Sequence, residues 1–276
     1  MSPATGARNS AVDGLRFLGA ASIVYVHLGL PHDGWGLTAL PLFMALLVYY
    51  GAERSLAERA RRLVLPWLIW GLIYGALKVV DAVLAGRPIA SEFAPWMLLT
   101  GPVLPLWFLP FAFLFLALIQ AVPHRWRAPV ALGTSLIAVL AVNLVALPVP
   151  LNHWCSVWAA GATGFLMRQT GRPSAVALGL AGVFLVLAFV PPLDSYAKQT
   201  ALAGLALALA TWLRGPHVPA LTFLGGLSMG LYVSHHGVAA LLQRVGGLEG
   251  LPLFAAVLAG SCLLTLLLRR VLPQAV

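Results

Sequence analysis

Asp13-Gly14-Leu15-Arg16 opens the first apolar segment of the chain, and Tyr25-Val26-His27 lies near its far end. Eleven residues at ~100° each make about three turns plus 20°, so Arg16 and His27 share one helix face, roughly 16 Å apart along the axis. An ionisable group in a bilayer costs on the order of 2.5 to 3.5 kcal/mol on insertion scales and marks a site by default. An imidazole is largely neutral at physiological pH and suits general-base work, while a guanidinium suits an anion or a structural ion pair. Asp13 stands at i, i+3 from Arg16, so an ion pair that locks the helix is an equal alternative for this arginine. A second constellation lies late in the chain, where Ser228, Tyr232 and His235 follow at i, i+4 and i+7 and form a polar stripe among Gly225, Gly226 and Gly230. A third is basic: Arg59, Arg61 and Arg62, with Arg54 nearby, form the densest cationic patch.

The elements that position these residues are membrane helices. Of 276 residues, 61% are hydrophobic and 9% charged, against about 25% charged in a soluble domain. Ten apolar stretches fall at about 14–31, 37–51, 63–85, 105–122, 128–147, 153–168, 174–192, 197–213, 222–243 and 251–268. They are rich in Leu, Ala, Gly and Val and lack barrel alternation. The expected fold is all-α: a polytopic membrane protein of about ten transmembrane helices, forming one domain over 1–276. Thirteen basic residues fall at the amino terminus, the carboxyl terminus and alternate connections: Arg8, Arg16, Arg54, Arg59, Arg61, Arg62, Arg125, Arg127, Arg168, Arg172, Arg214, Arg269 and Arg270. Only Lys78, Arg87, Lys198 and Arg244 fall on the other side. Basic loops remain in the cytoplasm, so both termini are expected there. The net charge of +9 is then a topology signal, and nucleic-acid binding has no basic soluble domain to carry it. The first segment reads as a retained helix, not a signal peptide.

Helices one and nine both run outward, and counting along them puts His27 a little past the midplane and His235 at similar depth. Trp107 and Phe108 of Leu106-Trp107-Phe108-Leu109-Pro110 fall toward the same outer half, so three segments converge on one layer. Each feature also has a plain reading. A lone membrane histidine is most often a packing or hydrogen-bonding residue, the arginine patch follows from topology, and Trp107 suits an interfacial anchor, as do Trp35, Trp67, Trp96, Trp126, Trp154 and Trp212. Lys78 and Asp81 are expected to pair at i, i+3, and His153 and His217 carry no signal. Cys155 and Cys262 read as free thiols. No metal-ligand spacing and no Gly-x-Ser-x-Gly motif is present.

The stretch Val12-Asp13-Gly14-Leu15-Arg16 through His27 resembles the opening signature of the membrane acyltransferase-3 family, which O-acylates cell-surface sugars. Arg61-Arg62-Leu63-Val64-Leu65-Pro66-Trp67, Leu106-Trp107-Phe108-Leu109 and Leu227-Ser228 through Tyr232-Val233-Ser234-His235 are similar to further family elements, in the same order. Where the family usually shows paired phenylalanines followed by Ser-Gly, this chain has Leu42-Phe43-Met44-Ala45-Leu46-Leu47-Val48-Tyr49-Tyr50, and only Phe43 fits. The resemblance implies a divergent minimal member located in the bacterial cytoplasmic (inner) membrane. The donor would be cytoplasmic acyl-CoA, commonly acetyl-CoA, with no permanently bound cofactor or metal, and the acceptor a hydroxyl of a surface or lipid-linked glycan. It makes His27 the general base or an acyl relay, with Arg16 at the inner mouth of the site. Arg59, Arg61 and Arg62 would hold the CoA phosphates. Trp107, Ser228, Tyr232 and His235 would contact substrate. A transporter or flippase of glycan precursors is the competing class; against it, the two halves of the chain show no matching Gly- or Pro-interrupted helix pair of the kind inverted-repeat transporters carry.

Overall fold

Helix starts and stops follow local chemistry. The Asn9 side chain accepts hydrogen bonds from the backbone N–H groups of Ala11 and Val12 (3.0 and 3.3 Å), capping α1, Ser10–His27. Ser55 and Glu58 form a reciprocal capping box at α3, Leu56–Arg59, satisfying two donors that the first turn leaves open. Pro173 and Pro219 occupy first positions of helices, where a missing N–H costs nothing. Gly171 (φ 65°) ends Leu151–Thr170, and Gly247 (φ 55°) ends the helix that Pro219 begins, both in the left-handed conformation.

A computed structural model describes residues 9–194, 196–213 and 217–276. After α1 come α2 (Ala39–Gly51), α3, α4 (Leu65–Leu84), the single turn α5 (Met97–Thr100), α6 (Phe108–Ala121), α7 (Arg127–Leu144), α8 (Leu151–Thr170), α9 (Pro173–Leu187), α10 (Ala197–Trp212), α11 (Pro219–Gly246) and α12 (Gly250–Val271). A π-helical turn, Ala60–Val64, joins α3 to α4. No strand occurs among the described residues. A helix occupies each of the ten apolar stretches, yet five segments are long and apolar enough to cross a membrane by themselves: Gly34–Gly51, Leu56–Leu84, Leu104–Ala121, His124–Leu144 and Gly250–Val271. Several of the other long helices carry inward polar groups that lower their mean hydropathy. On α11 these include Ser228, Ser234 and His235, all buried, and on α1 they include Asp13, 4% exposed.

Two close approaches fix the centre of the bundle. Helix α11 runs parallel to α1: the Ser10 hydroxyl accepts from Val218 N–H (2.8 Å), and a Cβ at Gly225 would lie 2.6 Å from the Asp13 carbonyl oxygen. Helix α8 likewise presses on α2, because Gly164 faces the Ala45 carbonyl with no room for a side chain. Small residues thus allow backbone contact, as membrane helices favour.

The bundle has two unlike ends. The start of α1, the ends of α2, α6, α8 and α12 and the connection into α4 gather eleven described arginines: Arg16, Arg54, Arg59, Arg61, Arg62, Arg125, Arg127, Arg168, Arg172, Arg269 and Arg270. Arg8 and Arg214, counted with this side in the sequence, lie outside the described residues. The opposite end holds Lys78, Arg87, Lys198 and Arg244. The expected Lys78–Asp81 pair does not form. Asp81 instead takes Arg87 (2.6 Å) and Arg244 (2.5 Å), and Lys78 donates to the Glu92 carbonyl (3.0 Å). Guanidiniums arriving from a loop and from α11 outcompete the i, i+3 ammonium because they satisfy both carboxylate oxygens. Cys155 and Cys262 are free.

Candidate active site

The parallel packing of α1 and α11 brings the two predicted histidines into contact. His27 is the last residue of α1, and its Nδ1 lies 2.8 Å from Nε2 of His235. The ring planes are 4° apart, with centroids separated by 5.0 Å. His235 is 1% exposed, and its Nδ1 faces the carbonyl oxygens of Tyr232 (2.7 Å) and Leu231 (3.2 Å). His27 retains an exposed side. The helix ends at His27 itself, so the ring sits at the end of its segment and not mid-helix. His235, expected to contact substrate, is enclosed and has both nitrogens engaged.

The third segment also arrives. The Tyr232 hydroxyl donates to the Pro105 carbonyl, and its ring meets Phe108 at 6.1 Å and His235 at 6.4 Å between centroids. Trp107 meets the group only through Phe108 (5.7 Å between centroids) and contacts neither Tyr232 nor the histidine pair by ring stacking. It is 5% exposed and stacks on His153 (5.4 Å, 25°), so it is neither an interfacial anchor nor a surface that a substrate can reach without rearrangement. His153, which carries no sequence signal, is the partner that holds it.

A cavity of ≈ 1460 Å³ opens at the basic end and extends upward to Ser228, Phe108 and Tyr232. The two histidines are not in its lining. Tyr232 and Phe108 form the wall between, one helical turn short of His235. Seven arginines line the cavity (Arg16, Arg54, Arg59, Arg61, Arg62, Arg168 and Arg269) against one acidic side chain, Asp13. Four of the seven already have partners. Arg16 pairs with Asp13 at 3.5 Å, Arg168 with Glu53, and Arg269 donates to the Gly226 carbonyl.

Arg59 departs most from expectation. It is 3% exposed, and its guanidinium donates to the carbonyls of Gly51 (3.1 Å), Ala52 (2.7 Å) and Leu116 (3.1 Å) and to Gln120 Oε1 (2.9 Å). These acceptors lie at the carboxyl ends of α2 and α6, where orphan carbonyls and the helix dipole both favour a cation. Arg59 therefore ties two helices together and has little left for a phosphate. Arg54, Arg61 and Arg62 form no ion pair with any described residue. Ser228 is buried and donates to the Gly225 carbonyl (2.8 Å) within its own helix. Phe43, the one fitting position of the divergent family element, lines the cavity and packs against Gly19.

Residues 9–270 match the family model of the acyltransferase-3 domain, described as an acyltransferase domain. No curated protein and no solved structure matches the chain. The match spans nearly the whole sequence, so the chain belongs to this family and is a multi-pass membrane acyltransferase.

Proposed function

We propose that the protein is an O-acyltransferase that moves an acyl group, with acetyl as the simplest case, from cytoplasmic acyl-CoA to a hydroxyl of a surface or lipid-linked glycan. Ten helices would cross the bacterial inner membrane, with the basic end and both termini in the cytoplasm. The carrying observation is a large cavity lined by seven arginines and one acidic side chain, ending one helical turn from a hydrogen-bonded histidine pair. Arginines that outnumber the carboxylates around them in a membrane protein, as here where Glu58 is the acidic neighbour of both Arg54 and Arg62, are unfavourable together unless a further anion joins them. The diphosphate and 3′-phosphate of CoA meet that need at Arg54, Arg61 and Arg62, with Arg16 higher on the wall. The pantetheine arm then runs along Phe43, Met229 and Ser228 toward the wall formed by Phe108 and Tyr232. To reach His27 the thioester passes this wall, which opens when the Tyr232 hydroxyl leaves the Pro105 carbonyl.

The acceptor approaches His27 from its exposed side. His27 takes the hydroxyl proton as the oxygen attacks the thioester carbonyl, and it returns that proton to the departing thiolate. A transporter needs neither an imidazole poised in this way nor acyl-CoA, and family membership favours the enzyme. The test uses the purified full chain in detergent with labelled acetyl-CoA and a glycan acceptor. CoA release coupled to label on the acceptor is expected; cargo binding with no acyl transfer from any acyl-CoA would overturn the reading.

A further inference from the structure

We infer that His235 is a positioning residue that fixes the tautomer of His27, leaving a bare Nε2 on His27 as the only basic nitrogen of the pair offered to the acceptor. The inference deepens the proposed function and depends on it for its catalytic half.

The argument begins at the carbonyls. Tyr232 O lies 2.7 Å and Leu231 O 3.2 Å from His235 Nδ1. Carbonyl oxygens only accept, so Nδ1 carries the proton. A neutral imidazole has one N–H, and Nε2 of His235 is therefore a lone pair. That lone pair stands 2.8 Å from Nδ1 of His27, and two bare nitrogens would repel at this distance. His27 Nδ1 is thus the donor, and its Nε2 is left unprotonated. Near-parallel ring planes allow the in-plane N–H of one ring to point at the in-plane lone pair of the other. His235 is almost completely enclosed, so water does not compete for the bond.

The same geometry decides where protons go. The acceptor O–H proton moves to His27 Nε2 as the new C–O bond forms and the thioester carbonyl becomes a tetrahedral oxyanion. On collapse the C–S bond breaks, and the thiolate takes that proton to leave as CoA–SH, returning His27 to its starting tautomer. While His27 is cationic, its Nδ1–H bond to His235 Nε2 is charge-assisted and stronger. His235 holds the ring by an accepted hydrogen bond and exchanges no proton, because its other nitrogen ends on carbonyls. The arrangement parallels a base oriented by a third group, with a neutral histidine in place of a carboxylate.

The test compares the full-length wild type with His235→Ala, His235→Gln and His27→Ala in detergent. His235→Ala is expected to lower kcat about 10²-fold with KM for acetyl-CoA within about twofold. His235→Gln, whose carboxamide oxygen can accept from His27 Nδ1–H, is expected to recover most of that loss, and added imidazole to rescue His235→Ala in part. Equal losses in Gln and Ala, or a loss carried by KM or by thermal stability, would reduce His235 to a packing residue and overturn the inference. An activity-independent reading comes from ¹⁵N-histidine NMR, where His27 and His235 should both appear as Nδ1–H tautomers, and an Nε2–H tautomer at His27 refutes the pairing. If the wild type transfers nothing while both Nδ1–H signals are present, the proposed function fails and the pairing stands.

Discussion

The two ends of the bundle treat charge in opposite ways. At the end away from the cavity, Asp81 binds both Arg87 and Arg244, and Arg87 also takes Glu92 at 2.6 Å, so three charged loops and helices are closed into one network. At the basic end the arginines outnumber the carboxylates, and Arg54, Arg61 and Arg62 face the cavity with only Glu58 near enough to Arg54 and Arg62 to act on them, and none of the three forms a direct ion pair among the described residues. A topology rule explains why cations collect on one side. It does not explain why they surround an opening. The difference separates cations that hold the fold from cations that await a ligand, and Arg59 shows that both kinds occur within four residues of sequence.

That contrast can be tested, beginning with the largest effect. His27→Ala should reduce acyl transfer by about 10² to 10⁴-fold with membrane insertion and protein amount unchanged; surviving transfer would remove the histidine end from the chemistry. Arg59→Gln should cost about 2–3 kcal/mol, as a thermal-shift midpoint in detergent would register, because it strands buried carbonyls and Gln120. Its KM for acetyl-CoA should move little in the protein that remains folded. Arg54→Gln combined with Arg61→Gln and Arg62→Gln should do the reverse, raising KM for acetyl-CoA at least ~10-fold without altering the KM for acceptor. If Arg59→Gln raises the donor KM as much as the triple variant does, the division between structural and ligand-facing cations fails. Tyr232→Phe removes one hydrogen bond to Pro105, a net of about 1 kcal/mol, and acetyl-CoA hydrolysis without acceptor should rise about fivefold. An unchanged rate would mean that Tyr232 does not close the cavity. Smallest is Arg244→Ala, at an exposed ion pair that water and salt screen: the thermal-shift midpoint should barely move, with transfer unaltered.

What the sequence made legible were relations within one helix or between helices of equal depth. The common face of Arg16 and His27, the Asp13–Arg16 pair and the similar depth of His27 and His235 follow from residue counts along α1 and α11; that the two helices are neighbours, so that the rings touch, does not. Relations that depend on a third element stayed hidden. Arg59 reads as one member of a patch until α2 and α6 bring their terminal carbonyls to it, and the preceding capping box with the π-helical turn Ala60–Val64 gives it an orientation different from Arg61 and Arg62. Sequence spacing pairs Asp81 with the nearer cation, Lys78, because Arg244 lies 163 positions away. Trp107 looked like an interfacial residue because position along a segment predicts depth, while His153 on α8 decides whether the ring is covered. The cavity had no signature at all, since its walls come from both ends of the chain and most helices between.

The side-by-side course of α1 and α11 acts as a ruler. Ser10 meets Val218, Asp13 meets Gly225 and His27 meets His235, so three rungs set the register over roughly 25 Å of helix. A slip of one residue is about 1.5 Å, enough to turn the 2.8 Å nitrogen contact into a gap. A bulky side chain at Gly225 would therefore silence the enzyme from the opposite end of the helix pair, with every reactive group still present and merely out of step.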